Sequence, residues 1–402
     1  MTVLDDDMAF AGRDRTAVVG IGQTEFSRDS GRSVLSLATE ASLKAIADAG
    51  LTVADIEGIV RCGDDTVTPP TLAAALGAAN LTYWADTGPG GVAPCMMMGL
   101  AMGAVLSGQA KAVLAFRSLN GRSESRLGAG VQRTGAEVSG GAGSYDEFFV
   151  PYGLMTAGQT FALMTQRHML DYGTTAEQLG AVAIACREHA QLTPHAQMRG
   201  KPLAMDDYLA ARMISTPLRL FDFCLESDGA CAVVITSAER ARDLPRPPVL
   251  IRAVAGGSPR DHRAGMMFPA VTRHDMTELG GRRAGEVLWN RAGVGPGEVD
   301  IAQLYDCFTI SVLLQLEAYG FCGKGEGGPF AASGAIRRGG SLPINTGGGH
   351  LSEGYVHGMN HIVQAVRQLR GEADMQVEGA ELCLCTGGPL PIGSSVLFRK
   401  AA

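Results

Sequence analysis

One short joint occurs twice in this chain. Ala49-Gly50-Leu51 closes an apolar-periodic stretch and leads to Asp55-Ile56; Ala292-Gly293-Val294 closes another and leads to Asp300-Ile301, with a spacer two residues longer. The surroundings match as well. The apolar run Thr16 to Ile21 precedes a helical pattern over Ser33 to Ala49, with Leu35, Ala38, Ala41, Leu43, Ile46 and Ala49 on one broad face, and Ile56 to Val60 reads as the next strand. In the second copy, Pro248 to Ala255 is a strand, His274 to Ala292 a helix with Met276, Leu279, Ala284, Val287 and Leu288 for its buried side, and Val299 to Leu304 a strand. A glycine just past each helix is the expected C-terminal stop. Strand, helix, strand, repeated, predicts a duplicated α/β half with a parallel sheet and crossover helices. The bland alternative is that common helix-to-strand joints look alike by chance.

With 402 residues the chain is too long for one ordinary core. We expect a loose N-terminal arm over 1–15, an N-terminal half over 16–245 and a C-terminal half over 246–402, divided where charge and prolines interrupt the pattern between Arg242 and Pro248. Arg117 to Thr216 is less regular: a loop excursion rich in Gly and Ser at Gly128 to Tyr145, then helical stretches at Gly158 to Tyr172 and Thr175 to Gln191. A long irregular segment in a compact fold usually covers a site or builds an interface.

Composition narrows function. A net charge of −7 without a long basic run argues against nucleic acid. The longest apolar stretch, Gly91 to Leu106, is cut by Pro94 and several glycines, so a membrane span is not expected. The acidic start, Asp5 to Asp7, lacks the pattern of a secretion signal. Nine scattered cysteines, an odd number with no C-x-x-C pair, fit reduced thiols in a cytoplasm and no zinc site.

Three C-terminal segments have the residue types of a site. Tyr305-Asp306-Cys307-Phe308 stands at the end of a predicted strand, where ligand sites of α/β sheets lie; satisfying turn backbone groups is the simpler use. Gly347-Gly348-Gly349-His350 begins a run to Tyr355 and His357 before a helix over Met359 to Arg370; glycines there let N–H groups approach a ligand, with Gly348, Gly349 and His357 as substrate-binding candidates. His357 and His361 are four apart but lack a third metal ligand, so a shared helix face is the expectation. The strand Ala380 to Leu384 runs into Cys385-Thr386-Gly387-Gly388, and alternation places Cys383 and Cys385 on one face as buried thiols, Cys385 being of interest beside the glycines.

These segments, in this order and with Phe223-Cys224-Leu225-Glu226-Ser227-Asp228-Gly229-Ala230, resemble the thiolase superfamily from Thr16 to Lys400, and within it the sterol-carrier-protein-x, or lipid-transfer-protein, branch. The resemblance implies the thiolase fold, a layered αβαβα core with a loop-domain insertion. The C-x-G-G motif matches Cys385-Thr386-Gly387-Gly388. The H-D-C-F motif matches Tyr305-Asp306-Cys307-Phe308 and the G-H-P motif Gly354-Tyr355-Val356, with tyrosine replacing histidine in both. The nucleophile position falls on Gly91, which cannot form an acyl-enzyme; Cys95 lies four residues on, and a shifted alignment would restore it.

Loss of the nucleophile removes the covalent half of thiolysis. The pattern is similar to the thiolase-like aldolases of steroid side-chain degradation, which implies retro-aldol cleavage of a β-hydroxyacyl-CoA. Tyr355 and Tyr305 then handle protons, with Asp306, Cys385 and His350 as further catalytic candidates and the N–H groups of Gly91 and Gly387 as the oxyanion donors. Coenzyme A enters as part of the substrate; Arg122 and Arg126 are candidates for its phosphates. The resemblance also implies a homodimer and a small OB-fold, zinc-ribbon partner protein. The competing expectations are ordinary acyl transfer through Cys95 or Cys385, and a non-catalytic acyl-CoA-binding subunit.

Overall fold

The computed structural model describes residues 10–88, 90–124, 149–259, 261, 271–388 and 392–401. Its strands in chain order are β1 (Thr16–Gln23), β2 (Gly58–Cys62), β3 (Tyr83–Thr87), β4 (Ala112–Asn120), β5 (Met213–Ser215), β6 (Leu218–Arg219), β7 (Asp228–Ser237), β8 (Val249–Gly257), β9 (Ile301–Gln303), β10 (Leu382–Gly387) and β11 (Gly393–Lys400). One sheet runs β3-β2-β4-β7-β1-β8-β11-β10-β9; β5 and β6 form a separate ribbon.

The sheet is made of two like halves. The order β2-β4-β7-β1 on one side is matched by β9-β10-β11-β8 on the other. In each, the first pair is parallel and the next two are antiparallel. The halves meet through β1 and β8, paired at Ala17–Leu250 and Val18–Val249. The sheet is therefore mixed, which corrects the parallel expectation. Helices Val34–Asp48 and Gly281–Ala292 occupy equivalent places after β1 and β8, and Gly50 and Gly293 both take left-handed φ values, 68° and 67°.

Burial gives the layers. Helices Ala93–Leu106 and Met359–Arg370 share a core, Met97, Met98, Ala101, Ile362, Val363 and Val366 packing with Val113 and Val233 of one half-sheet and Val254 and Val396 of the other. Leu37, Ala41 and Ala45 cover the outside of the first half; Ala284 and Leu288 cover the second. Helix, half-sheet, helix pair, half-sheet, helix is a five-layered αβαβα arrangement.

Four expectations are corrected. The second outer helix starts at Gly281, not His274, because Asp275 Oδ1 accepts from Thr277 N–H at 2.8 Å and holds a turn instead. Arg117 belongs to β4, so the excursion begins after Asn120. Arg13 donates to Arg291 O at 2.8 Å and Asp14 pairs with Arg252 at 2.7 Å, so residues 10–15 are tied down. Leu43 is exposed. The Gly128 to Tyr145 loop and residues 1–9 lie outside the described residues.

Candidate active site

Tyr305 is fixed at the end of β9 by its backbone. The Asn345 amide pairs with both main-chain groups of Leu304, at 2.7 and 3.0 Å, continuing the strand's hydrogen bonding by side chain. Gln315 Nε2 donates to Tyr305 O at 2.8 Å, and Tyr305 N–H donates to Thr386 Oγ1 at 3.0 Å. Tyr355 comes from a loop before the Met359–Arg370 helix, and its N–H donates to Ser227 Oγ at 3.1 Å. The two tyrosine hydroxyls meet at 2.7 Å.

The His350 ring stands edge-on to both tyrosines, with centroids 4.7 and 4.8 Å away. Asp306, wholly buried, accepts from the N–H groups of His350 (2.9 Å) and Leu351 (3.2 Å) and from His361 Nε2 (3.0 Å). The glycine-rich loop thus presents its N–H groups to an internal carboxylate. A Cβ on Gly349 would strike Asp306 and one on Gly348 would crowd Ala190, so these two glycines serve that packing rather than open space for a substrate.

Charge is expensive here. Burial pushes both phenols well above the ordinary tyrosine range; Tyr355 raises Tyr305 further, while the hydrogen bond from Tyr305 eases Tyr355 back. Burial and then the neighbouring His361 hold His350 well below the usual histidine value. Burial alone would raise Asp306, but His350, His361 and the backbone donors outweigh it and keep its carboxyl below the usual range.

Gly91 explains the missing nucleophile. A Cβ built there would lie 2.5 Å from the Tyr305 hydroxyl oxygen and in steric conflict with the ring. A side chain at residue 91 and the Tyr305 phenol compete for one volume. Gly387 adjoins it, its built Cβ falling 2.5 Å from Gly91 O. Cys385 is not at a strand end: it is buried within β10, its Sγ 3.6 Å from His361 O, and burial pushes its thiol well up. Burial likewise pushes Cys95 up to about 12, with Sγ 3.5 Å from Cys385 O. Thiols without an electropositive neighbour are weak nucleophiles.

His357 and His361 do not share a helix face. His357 has φ 51° and precedes Gly358, the N-cap of the next helix. Arg117 Nε and Nη2 donate to its Nδ1 at 3.2 and 3.0 Å, and its ring stands edge-on to Tyr355 at 5.1 Å. Burial and then Arg117 push His357 down to about 4. Among the described residues two groupings have the residue types of a metal site, Asp306–His350–His361 and Cys62–Asp64–His357. In the second, Arg117 directs a permanent cation at the histidine lone pair, the reverse of what a metal needs. Arg122 lies 3.9 Å from Glu226; Arg126 falls outside the described residues. Sequence reasoning missed Arg117 and its partner Asp64; the available signal was an arginine directly following the apolar run Ala112 to Phe116.

Comparison with known proteins identifies the family. Residues 268–397 match the family model described as thiolase C-terminal domain-like. The chain is 44% identical, over 93% of its length and 96% of the relative, to the 17-hydroxy-3-oxo-4-pregnene-20-carboxyl-CoA lyase of Mycobacterium tuberculosis. It is 42% identical to the steroid side-chain-cleaving aldolase of Thermomonospora curvata, over 92% of this chain and 94% of that one. A solved structure, the Ltp2-ChsH2(DUF35) aldolase, superposes with a TM-score of 0.89 at 40% identity, covering 96% of this chain and 98% of the other. Among the described residues no helix is long and apolar enough to cross a membrane. The chain belongs to the thiolase superfamily, in its lipid-transfer-protein branch, and is an acyl-CoA carbon–carbon lyase of the aldolase type rather than a thiolase.

Proposed function

We propose that the enzyme cleaves the side chain of a steroid β-hydroxyacyl-CoA, releasing a steroid ketone and a shortened acyl-CoA, and that Tyr305 and Tyr355 carry the protons. The observation behind this is the 2.7 Å contact of the two hydroxyls at the place where Gly91 leaves no nucleophile. Buried phenols are poor places for a full negative charge, and a concerted relay avoids one. The substrate β-hydroxyl gives its proton to one phenol oxygen as that phenol passes its own to the other. The Cα–Cβ bond breaks as the carbonyl product forms, the thioester oxygen sharing the charge that develops at Cα, and in the same event the second phenol delivers its own proton to Cα, so that neither phenol oxygen ever holds two protons. Atoms and charges balance without an oxidant or an acyl-enzyme. Asp306 and His350 are assigned the support of this pair, and the N–H groups of Gly91 and Gly387 the thioester oxygen.

In this reading coenzyme A takes part only as a portion of the substrate, and the reaction belongs in the cytoplasm. A structural relative is the Ltp2-ChsH2(DUF35) aldolase, which supports a partner protein for this chain; that the partner is a small OB-fold, zinc-ribbon protein and that this chain forms a homodimer are what the family resemblance implies. Ordinary acyl transfer is disfavoured by the buried, high-pKa thiols of Cys95 and Cys385. The test is carbonyl release from steroid β-hydroxyacyl-CoA esters, with and without the partner. Tyr355→Phe should lose about 10²–10⁴-fold in kcat, the worth of a positioned proton-transfer group; unchanged turnover would remove Tyr355 from the mechanism.

A further inference from the structure

Arg117 sits in a strand whose nine residues are all buried, an expensive place for a charge. Its guanidinium is held by Asp64 at 3.3 Å and Asp65 at 3.1 Å, and both Nε and Nη2 donate to Nδ1 of His357. Arginine does not give up its proton in proteins, so Nδ1 must offer its lone pair. The ring is then the neutral tautomer with its hydrogen on Nε2. Among the described residues no group pairs with Nε2.

Two further facts place this free donor at the chemistry. His357 stands edge-on to Tyr355, with an interplanar angle of 87°. Asp64, which holds Arg117, also accepts the Gly90 N–H at 3.1 Å, so one carboxylate fixes both the His357 side and the loop carrying Gly91. The left-handed backbone of His357, φ 51°, is a conformation that non-glycine residues keep where the surroundings enforce it, often at functional sites.

We infer that His357 is a catalytic hydrogen-bond donor whose Nε2–H binds the thioester carbonyl oxygen and stabilises the charge it gains as the Cα–Cβ bond breaks, with Arg117 and Asp64 as positioning residues. This rests on the retro-aldol reading above. A neutral donor suits a step that moves charge onto oxygen and back, because no proton need be returned to it. The charged and titratable groups around the ring are Arg117, Asp64 and Tyr355, with Asp65, Cys62 and His350 further out.

The test compares His357→Phe, His357→Gln and Arg117→Met with wild type in carbonyl release, alongside thermal melts and ¹⁵N NMR of the wild-type imidazole. His357→Phe should lower kcat by about 10²–10³-fold, the loss seen when one oxyanion donor is removed, with KM changed only a few-fold. His357→Gln, which keeps an amide donor, should recover at least about tenfold of that. Arg117→Met should give kcat an acid limb between about pH 4 and 6.5, because His357 is freed to protonate beside Asp64. NMR should show the hydrogen on Nε2. Equal kcat for His357→Phe and wild type, equal losses for Phe and Gln, an unchanged pH profile for Arg117→Met, or a hydrogen on Nδ1 would each overturn the role. Failure of wild type to cleave any β-hydroxyacyl-CoA while NMR shows the Nε2 tautomer would instead overturn the reaction beneath it.

Discussion

Gly91→Ala is the sharpest perturbation the site offers. Gly91 does not have a left-handed φ, so alanine meets no backbone penalty there and the whole effect is steric. The added carbon would sit 2.5 Å from the Tyr305 hydroxyl oxygen, against the roughly 3.5 Å that such atoms need. Tyr305 must therefore retreat by about 1 Å. Its backbone is held by Gln315 and Thr386, so the ring has to swing. A swing of that size takes the 2.7 Å hydroxyl contact beyond hydrogen-bonding range. Overpacking costs about 1–3 kcal/mol and the lost hydrogen bond about 1 more, and a 1 Å displacement of a reacting group costs about 10²-fold in rate. The assay is carbonyl release with a parallel denaturant melt. We expect a variant that folds, is about 2–4 kcal/mol less stable and is at least about 10²-fold slower. Wild-type stability and rate would show that Tyr305 does not depend on the empty volume at residue 91.

Other consequences are simpler. Asp306→Ala strands two backbone N–H groups and His361, so it should cost about 3–5 kcal/mol in a urea melt and slow turnover through the displaced His350. Stability should fall in acid in two stages. His357 and His189 are both pushed down to about 4 by burial, so the unfolded chain binds protons that the folded chain refuses. Their contribution is full above about pH 6.5 and drains as pH falls toward 4, by up to about 3 kcal/mol each. Asp306, held below its usual value, adds a second loss as pH falls below about 3.9. Melts from about pH 7 to about pH 2 check both; flat stability from about pH 6.5 to 4.5 would contradict the histidine assignment.

The fold was readable where a local pattern has one meaning. The repeated glycine joint located the duplicated halves, and the apolar spacing over Met359 to Arg370 delimited that helix to the residue. Strand direction was not readable: β7 is buried along nearly all its length, and a strand covered on both faces reads alike whether parallel or antiparallel. The tyrosine pair was visible because both residues fall in recognisable segments. That their hydroxyls touch, and that Tyr305 fills the volume above Gly91, needed three dimensions. Arg117 was overlooked because one charge in an apolar strand carries no periodicity; only the fold brings Asp64 and His357 around it.

In the proposed reaction carbon–carbon cleavage proceeds through two phenols and never through a covalent acyl-enzyme. Intact-protein mass spectrometry on enzyme quenched during turnover of a β-hydroxyacyl-CoA tests it directly. Unmodified protein beside accumulating carbonyl product and shortened acyl-CoA is the predicted result. A protein mass raised by the acyl group, mapped to Cys95 or Cys385, would contradict it.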